Sequence, residues 1–177
     1  MVDARWGDVR ADFESAVRHL VMSGKLFEKN GFDDFTLEGY QAKMALMHSM
    51  QAGYTSLENG MKRIFSILGE ALPSGDSSHS DLLKRAAREI ENQRPAIISK
   101  DTYKLADQVR RFRHVAVRTY DDFVPDESED SVEAAKNLSK ILIEELNLFA
   151  SIIDPENDGD GDGSGGGAAG GPPPKLR

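Results

Sequence analysis

The chain has 177 residues, a formal net charge of -8, 39% hydrophobic and 29% charged residues, and no cysteine. Its length suits one ordinary domain able to bury a core without staples, and the balance is globular rather than fibrous or disordered. The missing cysteines exclude disulfides, thiolate metal sites and thiol nucleophiles, and the acidic sum argues against a general nucleic-acid binder with a strong positive field.

Asp3, Arg5, Asp8 and Arg10 crowd the start with no apolar stretch behind them, so no signal peptide is expected. No run is long enough to cross a bilayer, and the expected location is cytoplasmic. From there apolar residues recur at helical spacing. Trp6, Val9, Phe13, Val17, Leu20 and Val21 give one face of a first helix, ended by Asn30-Gly31 and Asp33-Asp34. Thr36 opens a long second helix on Tyr40, Met44, Met47, Met50, Tyr54, Leu57, Met61, Ile64, Phe65 and Leu68. Gly39, Gly53 and Gly60 each weaken it by about 1 kcal/mol relative to alanine, and small residues at such positions admit a close neighbour.

Pro73 to Ser78 reads as a loop, and Ser80, Leu82, Leu83, Ala86, Ala87 and Ile90 as a short third helix closed by Arg94-Pro95. Ser99 or Asp101 is placed to cap a fourth helix through Tyr103, Leu105, Ala106, Val109, Phe112, Val115 and Ala116. Asp121, Asp122, Asp126, Glu127, Glu129 and Asp130 then form an acidic loop around Pro125. A fifth helix is predicted from about Val132 to Ile153. The expected fold is all-α, an antiparallel bundle of about five helices over residues 1–154. Residues 155–177 are Gly, Asp and Pro-rich and read as a disordered tail. Asp158, Asp160, Asp162 and Gly163 open a calcium-loop spacing there, but its closing carboxylate position falls on Ala169, so no metal site is expected.

One window reverses the acidic character. Lys104, Arg110, Arg111, Arg113 and Arg118 fall close together, with His114 and Tyr120 among them. On a helix Arg110, His114 and Arg118 lie in line. Guanidinium groups hold phosphate bidentately and stabilise transition-state charge, while an imidazole exchanges protons with a phosphodiester substrate. The plain alternative is a basic stripe meeting acids of another helix or subunit. His19, His48 and His79 are scattered without ligand spacing, and no cofactor is expected.

Arg113-His114 followed by Arg118-x-Tyr120 resembles the motif of the HepT-like ribonuclease toxin branch of the HEPN superfamily. Arg94-Pro95, Ile97-Ile98-Ser99 and Thr102-Tyr103 precede it. Tyr54 with Glu58, Leu72-Pro73-Ser74-Gly75 and His79-Ser80-Asp81-Leu82-Leu83 are similar to the branch's long helix and loop. The likeness spans about residues 42–124. It implies a homodimer whose facing long helices bring two motif copies to a cleft, metal-independent RNA cleavage, and a nucleotidyltransferase antitoxin that attaches AMP to a tyrosine. Carried over by position, Arg113 is the motif arginine and Tyr120 the modified tyrosine; Arg110 and Arg111, as guanidinium groups of the same window, are expected to contact RNA. The sequence departs at Arg118, where the branch has its catalytic histidine. Arginine stays protonated near neutral pH and cannot exchange a proton as imidazole does. Either His114, one turn earlier, takes over, or the chain keeps fold and dimer as an adaptor without strong nuclease activity.

Overall fold

A computed structural model describes residues 4–33, 35–75, 77–118 and 124–155, with side chains at positions 4, 113–118 and 126 left aside. Helix α1 (Ala4–Lys29) buries Trp6, Val9, Phe13, Ala16 and Leu20. Val21, expected on that face, is instead exposed, because the stripe continues through the buried Ser23. Asn30 and Gly31 take positive φ angles of 56° and 92°, the left-handed conformation that ends helices.

Helix α2 (Leu37–Ile67) starts where the Thr36 side chain accepts the Gly39 N–H at 3.0 Å, satisfying one of the free amides of the first turn. Its glycines do what the spacing implied. A Cβ at Gly53 would stand 2.7 Å from Leu20 Cδ2, and one at Gly60 would stand 2.6 Å from the Phe13 ring. Those pairs, with Ser15–Ser56 at 3.2 Å and Arg63–Asp12 at 2.7 Å, set α1 and α2 antiparallel.

Helix α3 (Ser78–Ala86) stops short of the expected Ile90. The buried Arg94 side chain donates to the carbonyls of Arg85 and Arg88 at 3.3 and 2.9 Å, so backbone acceptors that a longer helix would use are already satisfied. Ile90 and Arg94 pair through their backbones, with Asn92 at φ 59° in the turn between. Arg94-Pro95 therefore organises a connection instead of closing the helix.

Helix α4 (Lys100–Arg118) is capped by Ser99, whose Oγ accepts the Thr102 N–H at 3.1 Å; Asp101, the other candidate, pairs with Lys104. A short 3-10 turn, Pro125–Ser128, leads into α5 (Glu129–Ile153). Helix α5 begins before the expected Val132. Glu129 and Asp130 sit in its first turn, where carboxylates suit the positive end of the helix dipole.

Trp6 against Phe149, Arg10 on Asn147 and Glu28 on Lys136 run α5 antiparallel to α1. Glu145 accepts from the Ser99 N–H and the Thr102 hydroxyl at 3.1 and 2.7 Å, fixing the start of α4 against the second half of α5. With α4 running back along α5, it is antiparallel to α2 as well. The four long helices close around one core, and α3 lies against α2 and α4. Among the described residues no helix is long and apolar enough to cross a membrane.

Candidate nucleic-acid interface

The inward stripe of α4 is Thr102, Ala106, Val109 and Phe112, all buried. This stripe sets the helix rotation and leaves the basic residues to be placed by what remains. Asp107 is 8% exposed and is the acid that meets them. Its Oδ1 accepts from Arg110 Nε at 2.8 Å and its Oδ2 from Arg111 Nε at 2.9 Å. Both carboxylate oxygens are thus engaged, and both guanidinium groups are anchored near their stems. The Arg110 side chain is 25% exposed and that of Arg111 is 75% exposed. The ion-pair alternative holds here in an altered form, because the acid comes from the same helix at i−3 and i−4 rather than from another helix or subunit.

Arg113, His114 and Arg118 belong to the same unbroken helix, so the backbone keeps Arg110, His114 and Arg118 in one register row. The side chains of Arg113, His114 and Arg118, and Tyr120 altogether, lie outside the described residues, as does the calcium-like spacing of the tail. Among the described residues no group of three or more His, Asp or Glu is arranged to hold a metal ion.

The separated motifs that accompanied the arginine window have distinct duties. Arg94 bonds Glu70 through Nε, and Arg85 reaches the same carboxylate at 2.9 Å. Both guanidinium carbons sit over the Phe65 ring, at 5.5 and 5.1 Å from its centroid. The Arg94 bond, foremost among these contacts, pulls the Glu70 pKa below its ordinary value, so the carboxylate stays charged where it clamps the loop between α3 and α4. Leu82 and Leu83 are simply core.

Tyr54 and Glu58 are different, because both point to α3. Tyr54 is fully buried and its hydroxyl donates to the His79 carbonyl at 3.5 Å. Glu58, 3% exposed, takes His79 Nδ1 on one oxygen at 2.8 Å and Lys62 Nζ on the other. Sequence reasoning named these residues only as parts of a pattern, and it missed Asp107, Glu70 and Glu145. For Asp107 and for Glu58 with Lys62, helical i,i+3 and i,i+4 spacing of opposite charges was the available signal. Glu70 and Glu145 meet partners far along the chain, where spacing carries no signal.

His19 and His48 come together across α1 and α2, ring edge to ring face at 6.2 Å. Burial, then Arg18, then His48 lower the His19 pKa.

Among the described residues the long elements are all helices, packed as an antiparallel bundle with a basic helix against its core, an all-α architecture of the kind HEPN domains have. The family model described as HepT-like protein matches residues 45–153, and the chain belongs to that family. No curated protein and no solved structure matched it.

Proposed function

We propose that this chain is the toxin component of a toxin-antitoxin pair and an RNA endonuclease that works without metal at the cleft of a homodimer. The observation that carries the reading is the pairing of Arg110 and Arg111 with one buried carboxylate on the helix that bears Arg113, in a member of the HepT-like family. Two guanidinium groups fixed by Asp107 keep planar donors oriented toward a phosphodiester, and such preorganised charge is what stabilises the developing charge of phosphoryl transfer. Arg113 supplies the motif guanidinium and His114 stands beside it. A cognate nucleotidyltransferase silences the site by placing AMP on Tyr120, whose bulk and negative charge oppose RNA at the arginine row.

Expression in cells tests this. The chain should arrest growth, Arg113→Ala should relieve the arrest, and co-expression of a cognate nucleotidyltransferase should relieve it together with an AMP adduct on Tyr120 detectable by mass spectrometry. Growth arrest that survives Arg113→Ala would remove α4 from the activity.

A second reading rests on Arg118. A residue that stays protonated cannot replace the histidine of the motif, which favours a dimer that binds RNA or protein as an adaptor without cutting. Under that reading Arg118→His creates cleavage where the natural chain has none.

A further inference from the structure

We propose that His79, held by Glu58, is the residue that exchanges the proton in RNA cleavage; this rests on the ribonuclease reading above. The bond between them is a carboxylate–imidazole pair with the polarity such chemistry needs. Glu58 is 3% exposed and fixes Nδ1 at 2.8 Å, whereas the His79 side chain is 44% exposed. With Nδ1 occupied, Nε2 is the nitrogen presented outward. Lys62 on the second Glu58 oxygen and the Tyr54 hydroxyl on the His79 carbonyl hold the pair from both sides. A carboxylate so placed fixes the tautomer and stabilises the imidazolium that forms, which makes Glu58 a positioning residue and His79 the catalytic one.

The bundle carries this pair to the level of the arginine row. Ile97 N donates to Ala86 O at 2.8 Å, and Arg85 and Arg94 cover Phe65, so the end of α3, the start of α4 and the end of α2 share one level. From there α4 runs antiparallel to α2. About 15 Å along α4 from Lys100 stands Arg110, and the same distance back along α2 from Ile67 stands Leu57, next to Glu58. About 20 Å along α4 stands Arg113, level with Tyr54. Helix α3 brings His79 back by about 10 Å from Ala86, and its bonds to Glu58 and Tyr54 set it beside that stretch of α2. Around His79 stand the charged groups of Glu58 and Lys62 on α2, with Asp81 two residues on along α3 itself.

In the step itself, neutral His79 Nε2 takes the proton of a ribose 2′-hydroxyl. The 2′-oxygen bonds to phosphorus, the phosphorus–O5′ bond breaks, and the 5′-oxygen takes a proton from water. His79 returns its proton to the hydroxide left by that water, so a 2′,3′-cyclic phosphate and a 5′-hydroxyl result, with no further reactant. Thus the histidine absent at position 118 has a counterpart from another helix.

The test is cleavage of single-stranded RNA in chelator by the full chain, followed across the imidazole titration range. His79→Asn should slow cleavage by about 10²- to 10⁴-fold and abolish the rise of rate with pH. Glu58→Gln should lower the rate but retain part of it, because the ring loses the carboxylate that fixes its tautomer while the imidazole itself remains. Unchanged melting temperature and helical circular dichroism establish that each variant is folded, and His79→Gln replaces any variant that is not. Cleavage by the natural chain that His79→Asn leaves intact overturns the pair alone. A natural chain inert toward RNA overturns the ribonuclease reading and the pair with it.

Discussion

Asp107 and Arg110 lie one helical turn apart on α4, and Oδ1 of the first accepts Nε–H of the second at 2.8 Å while its other oxygen holds Arg111. Asp107→Asn separates orientation from charge. The substitution removes one negative charge from the row, so RNA affinity should rise and fall more steeply with salt. Cleavage should nevertheless drop about tenfold to a hundredfold, because loosely held guanidinium groups no longer meet the phosphate in a fixed geometry. Binding measured over a salt series, with single-turnover rates on the same protein, reads both effects. A parallel rise in binding and rate would show that Asp107 only offsets charge.

Two glycines should respond to alanine in opposite directions. At Gly39 a Cβ would fall 1.9 Å from the Asp33 carbonyl oxygen, which is backbone and cannot step aside without disturbing the Thr36 cap. Gly39→Ala should cost about 1–3 kcal/mol. At Gly7, inside α1, a Cβ meets nothing within 4 Å, so Gly7→Ala should add about 0.5–1 kcal/mol through the better helix propensity of alanine. Chemical denaturation of the two variants beside the natural chain checks both signs.

Stability should fall with pH in two stages. The folded state holds the His19 pKa below its ordinary 6.5, so protonation favours the unfolded chain, and the loss sets in as pH drops through about 6.5 toward the lowered folded value. His19→Gln should flatten this stage. Glu70, whose pKa is lowered first by Arg94, contributes stability that is present above its ordinary 4.5 and is lost as pH falls through the folded value below that. Glu70→Gln should remove the second stage and lower the melting temperature at neutral pH. Thermal melts across the acid range resolve the two.

The bundle was legible because its determinants are local. Trp6-Val9-Phe13, the Thr36 cap and the Asn30-Gly31 stop each act within a few turns and appear in the structure where spacing put them, and the small residues at 53 and 60 were readable as a place for a close neighbour, though not which one. The end of α3 was not legible, because it depends on a side chain eight residues beyond Ala86 folding back onto the carbonyls of Arg85 and Arg88. The first turn of α5 was misread since a run of acids looks like loop until the helix dipole is considered. The arginine row was visible as composition, and its anchor, Asp107, was hidden in plain i,i+3 and i,i+4 spacing. The Glu58–His79 pair joins residues 21 positions apart on different helices, which no periodicity reveals.

Under the proposed function, the guanidinium row of α4 cuts RNA. Its most direct test is the initial rate of RNA cleavage by the purified chain in chelator, beside Arg113→Ala of equal helical content and melting temperature. The natural chain should cleave, and the variant should lose at least about a hundredfold, the scale expected for one preorganised transition-state donor. Equal rates for the two proteins, or no cleavage by either, would contradict it.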